Sequence, residues 1–587
     1  MKNTNQDIAK IFFEMAELLQ MQDVQFKPRA YEKASEAIGV LDDDLADIYK
    51  SGGVKKLMEI PAIGQNMAAK IEEFIKTGRV KEYEQMKKKI PVDISGLTSV
   101  EGVGPKAIKT LWQKLKIRNV TDLEKAAHAG KIAKLARFGK KSEDKILKGI
   151  EFLKQAGGRF RLGDILPYVR DLEAELKSLK EVDRLVVAGS VRRWKETIGD
   201  LDILVISKKP KAVMEYFVGM RDVVNILAHG ETKSAVKMKN GLDVDLRVVP
   251  AESFGAALNY FTGSKDHNVA LRQIAIKRGY KLNEYGLFRN QNAKIKNQND
   301  NAKLKMVAGR TEEDLYKTLG LRYIEPELRE NTGEIEAARA NILPQLIGYG
   351  DLKGDLQTQT DWTDGVNSIR EMAEAARKRG LEYIVITDHT KSLAMTGGAD
   401  EKKLLKQMAE IDQLNKEFRS KGFRILKGAE VNILPDGRLD IKDEVLAKLD
   451  CVGAAVHSHF NLSKKDQTAR IVRAMENSNV DIIFHLTGRQ IHKREPIELE
   501  LDEIFKAAKR TKTILEIDAH PERLDMKDEH IKRAKEFGIK FSIDSDAHAV
   551  SHFTLLEFGI ATARRGWVEK KDVINTLPAE KMLAMLK

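Results

Sequence analysis

Two aspartates, Asp200 and Asp202, stand two apart at the head of an apolar run, GDLDILVIS. Along a strand, residues two apart point to the same face, so both carboxylates can meet one divalent cation. A second run, LDVDLRVV, offers Asp243 and Asp245 at the same spacing. Carboxylate oxygens on neighbouring strands suit Mg²⁺, and two such ions can align an attacking hydroxyl with a triphosphate. Just upstream, GSVRR supplies what a phosphate needs: Gly189 for close backbone approach, Ser190 for a hydroxyl contact and Arg193 for a charge-assisted one. A lone pair of this kind would more often end a turn and decorate a solvated strand; its company with GSVRR makes it chemical.

Histidine concentrates elsewhere. Nine of the 12 histidines lie beyond residue 388, in ITDHT, AVHSHF, FHLTGR and SDAHA among others, with GAEVN between them. The single cysteine, Cys451, sits in apolar LDCVGAA and reads as core, so a metal here is held by imidazole and carboxylate rather than thiolate. GDLQTQTDWTDG, residues 354–365, has the form of an opening ligand motif, yet its alternating positions are Gln357 and Gln359. A neutral amide is a poor replacement for imidazole.

These residues must be positioned by several domains, because 587 residues exceed one hydrophobic core. Residues 1–155 read as helices, with apolar positions at helical spacing in Ile8, Ile11, Phe12, Met15, Leu18 and Leu19. IPAIGQNMAAKI and VEGVGPKAI each place a Gly-containing turn before a helix, bringing Gly64, Gly102, Gly104 and Lys106 to face a phosphate. Singly, such a turn is as often a plain helical connection. From about 180, RLVVAG, LDILVIS and VDLRVV indicate strands with helices between; residues 290–303 read as a loop or hairpin, and EPELRENTGEIEAARANILPQLI as an exposed connector. From 350, runs such as YIVIT, FRILKGAEV, DIIFH, TILEID and KFSID alternate with amphipathic helices, the pattern of a parallel barrel.

The chain is 42% hydrophobic and 32% charged, which reads as folded rather than disordered. Its net charge of +13 favours a polyanionic partner, and residues 1–150 hold 28 Lys and Arg against 21 Asp and Glu. It has no signal-peptide pattern and no long apolar run, so a cytoplasmic protein without membrane contact is expected.

With these motifs in order, GSVRR, GDLDIL, VDLRVV, YFTGSKDHN (260–268) and KLNEYGLF (281–288), the chain resembles the family X DNA polymerases through residue 325. The resemblance implies template-directed filling of short gaps in base excision repair type synthesis. It implies Mg²⁺ or Mn²⁺ on Asp200, Asp202 and Asp245, the first two bridging both ions and Asp245 also helping to activate the primer hydroxyl, with Asp243 left open between structure and function. Tyr260, Phe261, Gly263 and Asn283 would meet the nucleotide; on their own, the two aromatics could equally be core. The two turns resemble helix-hairpin-helix elements, the first with Ala62 in place of a Gly. KPRAYEKAS places Lys27, Arg29 and Lys33 as DNA 5′-phosphate contacts, and Lys70 stands where family members with lyase activity place a Schiff-base lysine; the plain reading is a phosphate-binding helix face.

The C-terminal part resembles the PHP (polymerase and histidinol phosphatase) domain carried by bacterial and archaeal family X polymerases. That implies a 3′–5′ exonuclease or phosphoesterase holding Mn²⁺ or Zn²⁺ on Asp364, His389, Glu430, His457, His485, Asp546 and His548, with Gln357 and Gln359 at the two remaining ligand positions. The first ion should therefore be weakly held and the nuclease impaired. His459, Asp518, His520 and Asp544 fall outside the matched set.

The expected fold is multidomain: all-α helix-hairpin-helix domains at 1–90 and 91–155, an α/β nucleotidyltransferase palm at 156–250, a thumb-like part at 251–325, a linker at 326–349 and a distorted β/α barrel at 350–587. Gapped or primer-template DNA and deoxynucleoside triphosphates are the expected partners of a monomer. Two competing readings are a PHP phosphoesterase tethered to DNA by its N-terminal part, and a non-catalytic gapped-DNA scaffold; intact palm carboxylates count against both, since a scaffold gains nothing from negative charge beside a phosphate backbone.

Overall fold

Ile8, Phe12, Met15, Leu18 and Leu19 all turn inward from helix Thr4–Met21, as their spacing requires. In the computed structural model, residues 4–39, 41, 43–100, 102–136, 138–155, 158–290 and 304–587 are described. They divide into one unit of residues 1–157, 348–560 and 571–587 and a second of 158–347 and 561–570.

In the first unit, a single buried cluster runs from Ile8 through Leu57, Ile71 and Leu111 to Ile150, so both helical stretches share one core. The two Gly-containing turns have the same geometry. Ile63 N–H donates to Ile60 O at 3.1 Å and Val103 N–H to Val100 O at 3.0 Å; Gly64 and Gly104 then cap helices Gln65–Thr77 and Pro105–Leu115. Gly102 holds a φ of 83° at no steric cost, whereas Ala62 holds 62° in spite of its Cβ, a strain of about 1 kcal/mol.

Residues beyond 350 form seven parallel strands in sequence order: Gly354–Thr358, Tyr383–Ile386, Arg424–Asn432, Cys451–Ala455, Ile482–Ile483, Ile514–Asp518 and Phe541–Asp544. The last approaches the first, where Thr358 bridges Ala547 and Gln359 N–H donates to Ala547 O at 2.8 Å. Helices cover the sheet, so its strands are buried on both faces, which explains their near-continuous apolar runs. Helix Ile369–Lys378 starts on a Ser368–Glu371 capping box, worth about 1 kcal/mol. Gln357, His389, Glu430, His457, His485 and Asp546 each lie at or just beyond a strand's C-terminal end.

The second unit has a five-stranded sheet in the order Arg184–Val187, Asp200–Ile206, Asp243–Val248, Lys233–Met238, Val223–His229. Only the central Asp200–Ile206 and Asp243–Val248 pair is parallel. A three-stranded antiparallel sheet follows, ordered Leu304–Ala308, Gly286–Asn290, Tyr280–Asn283. The polar segment read as a loop or hairpin lies, at 291–303, outside the described residues.

The stretch read as an exposed connector is instead part of this unit's core. Glu327, Leu328, Arg329, Glu334 and Ile335 are buried, in a short turn Pro326–Leu328 and helix Glu334–Ala340. Their charges are paired, which is why charge density misled. Arg329 donates to Glu312 and, through Nε, to Ile324 O at 2.9 Å; Arg192 grips the same Glu312 at 3.0 and 2.6 Å. Burial alone would raise the Glu312 carboxyl, but Arg329 and Arg192 hold it down to about 2. Removing one partner of such a pair costs about 3–5 kcal/mol. His267 is buried beside Glu334 Oε1 at 2.6 Å, Arg564 pairs with Glu327 at 2.7 Å, and Trp567 packs with Leu343 and Leu346 against the core around Leu315 and Tyr316.

Candidate functional site

The parallel pairing sets Asp200 opposite Asp243 and Asp202 opposite Asp245. Alternation then puts all four on one face. Asp243 is answered by Lys237 at 2.6 Å, and Asp245 only distantly by Lys233 at 3.7 Å. Asp202 makes no ion pair among the described residues: burial first, then the Asp200 and Asp245 charges, outweigh Arg247 and Arg193 and push its carboxyl up to about 7. A carboxylate held at that cost fits a divalent cation, which would relieve both repulsions. Asp200, Asp202 and Asp245 together have oxygen donors that could hold divalent cations.

The GSVRR turn is fastened here by Ala188 N–H, which donates to Asp202 O at 2.8 Å. Gly189 has a φ of 65°, and a Cβ on it would lie 2.6 Å from Asp202 Oδ2, so only glycine lets the turn approach the carboxylate. Ser190 is half-buried beside it. Arg193 Nη1 donates to Thr262 O at 2.6 Å, tying this turn to the Tyr260–Gly263 segment.

Tyr260 and Phe261 meet edge to face at 5.1 Å, and Phe261 packs against Phe254 and Leu258 beneath the Arg247 guanidinium. Gly263 ends helix Phe254–Thr262; a Cβ there would strike Asn268 and His267 at 2.8 and 2.9 Å. Asn268, missed in the sequence, holds this turn by donating to Tyr260 O and Gly263 O at 2.7 and 3.0 Å. Asn283 is half-committed, since its Oδ1 accepts from the N–H groups of Tyr285 and Gly286.

At the N-terminus, Gly64, Gly102, Gly104 and Lys106 are exposed, as a backbone-phosphate surface needs. Lys70, Arg29 and Lys33 have partners that the sequence does not show. Lys70 Nζ pairs with Glu82 at 2.9 Å and lies over the Tyr31 ring. Burial lowers its pKa, but Glu82 and Tyr31 outweigh burial and the net shift is upward, opposite to what a Schiff-base nucleophile requires. Nor do the cations surround it: Arg29 donates to the carbonyls of Met395, Thr363 and Thr396, and Lys33 to Gly365 O at 2.7 Å, all on loops of the PHP barrel. Lys27 is exposed. An ordinary lysine is already almost wholly protonated at pH 7.5, and an upward shift removes the neutral form further. Borohydride trapping of the chain on a 5′-deoxyribose phosphate end is expected to yield next to no covalent complex at that pH, with Glu82→Gln raising it; efficient trapping of the unaltered chain would restore the lyase reading.

In the barrel, the matched residues converge on Glu430. His485 Nε2 lies 2.8 Å from Glu430 Oε1, His457 Nε2 2.9 Å from the same oxygen and His389 Nδ1 3.3 Å from Oε2. His389 Nε2 reaches toward Asp364 at 3.6 Å, as His548 Nε2 does at 3.8 Å. Two groups have ligand spacing among the described residues: Asp364 with His389 and His548, and His389 with Glu430 and His457. Asp546 completes the ring 3.8 Å from His548 Nδ1. Several of these buried atoms, including His389 Nδ1, His457 Nε2, Asp364 Oδ1 and Asp546 Oδ1, lie off any hydrogen-bond line. Orphaned imidazole and carboxylate atoms at this spacing fit divalent metal ions.

Gln357 and Gln359 sit in the same ring, fully buried, with a different chemistry. Both Nε2 groups donate to Glu430 Oε2, at 3.2 and 2.9 Å. The lone pairs that a first ion would take are thus spent on amide protons, and both Oε1 atoms are left without a partner.

Other residues of the centre were invisible in the motifs. Asn432 Oδ1 accepts from His457 Nδ1 at 2.8 Å and Asp546 O from His548 Nδ1 at 2.8 Å, each turning Nε2 inward. Arg523 Nε stands 3.7 Å from Asp518 and 3.8 Å from Asp546. Asp518 and Asp544 are fully buried, whereas His459 is exposed. His485 and Asp546 hold φ values of 30° and 50°, a strain that no local sequence signal announces.

Known families match in the same order. Residues 3–80 match a helix-hairpin-helix domain, 94–151 a SAM-like helix-hairpin-helix tandem, 257–330 the DNA polymerase beta thumb and 355–520 the PHP domain. The chain is 36% identical over 584 residues, 99% of each chain, to the DNA polymerase/3′-5′ exonuclease PolX of Bacillus subtilis. It is 24% identical to rat DNA polymerase lambda over 56% of both chains, and 32% identical over 220 residues to a probable phosphatase of Thermoanaerobacter that it covers to 84%. No described helix is long and apolar enough to cross a membrane.

Proposed function

We propose, for a chain that belongs to the family X DNA polymerases with a C-terminal PHP domain, that it fills short gaps in DNA from deoxynucleoside triphosphates through Asp200, Asp202 and Asp245, and that its PHP centre is a weakened 3′–5′ exonuclease. The observation that supports the first part is the register of two parallel strands that sets Asp200, Asp202 and Asp245 on one face, where burial and the other two carboxylates raise Asp202. Two divalent cations there, Mg²⁺ or Mn²⁺, supply charge neutralisation and in-line alignment. Asp245 faces the primer end and accepts its hydroxyl proton; Ser190 and Arg193 hold the triphosphate; Tyr260 and Phe261 border its sugar, with Gly263 leaving room. Lys237 occupies Asp243, which keeps that carboxylate out of the reaction. The exposed turns at Gly64, Gly102 and Gly104 with Lys106 track the DNA backbone.

The test is incorporation of one nucleotide into a single-nucleotide gap with Mg²⁺. Asp245→Ala is expected to lower kcat by on the order of 10³, while Asp243→Ala stays within about threefold. The reverse outcome would hand the third-carboxylate role to Asp243.

For the PHP centre, the supporting observation is the pair of glutamine amides on Glu430. The two remaining three-residue groups favour Mn²⁺ or Zn²⁺, both accepting mixed imidazole and carboxylate ligands.

A further inference from the structure

The Arg193 guanidinium, which the reading above gives to the triphosphate, is held from behind. Its Nε donates to Glu330 Oε1 at 2.8 Å and its Nη1 to Thr262 O, while its Nη2 has no protein partner among the described residues. Glu330 is itself held. Arg565 Nη1 lies 3.3 Å from Glu330 Oε1 and donates to the Arg193 backbone carbonyl at 2.9 Å; Lys195 Nζ approaches to 3.8 Å. The three side chains are 12%, 19% and 5% exposed for Arg193, Glu330 and Arg565. Burial would raise the Glu330 carboxyl, yet Arg193, Lys195 and Arg565 together lower it, so it stands as an anion.

A free arginine loses rotamer freedom when it meets a phosphate. Here two edges of the guanidinium are fixed in advance, and the planar fork leaves one direction for the third. We propose that Glu330 and Arg565 are positioning residues for the incoming nucleotide: Arg565, supplied by residues 561–570 far along the chain, fixes Glu330, and Glu330 with Thr262 O aims the Nη2 edge of Arg193 at the triphosphate. Glu330 thus acts as a brace, and the C-terminal segment tunes nucleotide affinity without touching substrate. The inference rests on Arg193 being a triphosphate contact.

The experiment is steady-state insertion of dTTP opposite dA in a single-nucleotide gap, with the full chain and its Arg193→Ala, Glu330→Gln, Arg565→Gln and Arg565→Lys variants. Glu330→Gln and Arg565→Gln are expected to raise KM for dTTP about tenfold with kcat within about twofold, and Arg565→Lys to recover part of the loss. Affinity for the gapped DNA should not move. Arg193→Ala raising KM while the other variants leave it unchanged would overturn the inference and keep the reading of Arg193. An unchanged KM in Arg193→Ala would overturn that reading. A fall in KM for Glu330→Gln would make Glu330 a competitor for Arg193 and also overturn the inference. Thermal unfolding checks each variant, and if Arg565→Gln fails to fold, Glu330→Gln decides.

Discussion

Asp202→Asn is expected to abolish gap filling, by on the order of 10³ to 10⁴, while raising the unfolding temperature of the metal-free chain. The two effects have one cause. In the folded chain, burial and then Asp200 and Asp245 raise the Asp202 carboxyl from 3.8 to about 7. A carboxylate whose folded pKa lies above its unfolded value costs stability as pH climbs from about 4 through 7, and the cost is complete above 7. Asn keeps the shape and cannot ionise. Allowing for solvent screening of a half-buried group, the gain is on the order of 1–2 kcal/mol, a few degrees in a domain of this size. Thermal unfolding in EDTA checks it: the variant should gain at pH 8 and show no gain at pH 4. Robust extension by the variant would sink the palm assignment, and a loss of stability at pH 8 would sink the electrostatic account.

The second large effect belongs to the barrel. Restoring imidazole with Gln357→His and Gln359→His, in an Asp202→Asn background that removes polymerisation, is expected to raise Mn²⁺-dependent 3′-end degradation by on the order of 10². The substitution removes two N–H donors from Glu430 Oε2 and presents two nitrogen lone pairs in their place. Metal content should rise in parallel, by about one ion per chain. Strong degradation by the unaltered glutamine chain, equal to that of the double variant, would show that the first ion is not needed.

The chemistry-bearing pairs were legible where geometry is local. Asp200 and Asp202 declare a shared face because a strand has period two, and the strand-end ligands declare a barrel mouth because each follows an apolar run. What stayed hidden depends on partners far apart in sequence. Glu82 neutralises Lys70 from another helix, and Arg193 meets Arg565 across 372 positions. Arg29 and Lys33 looked like phosphate contacts because their charge is visible while the carbonyls they cap are not. The 326–349 stretch misled for the same reason: Arg329 and Glu334 look solvated until Glu312 and His267 are brought to them. Gln357 and Gln359 were recognisable as substitutions, but that their amides would consume Glu430 is a property of the folded ring.

The interleaving of the two units constrains how such a chain can change by descent. It passes between them at 157/158, 347/348, 560/561 and 570/571. A premature stop or a gene fission after residue 347 would discard the nuclease and, with it, the Trp567, Arg564 and Arg565 that the polymerase core uses. A lineage that no longer needs exonuclease activity therefore cannot shed the barrel cheaply. It can silence the barrel in place, one ligand codon at a time, and histidine and glutamine codons are a single base apart.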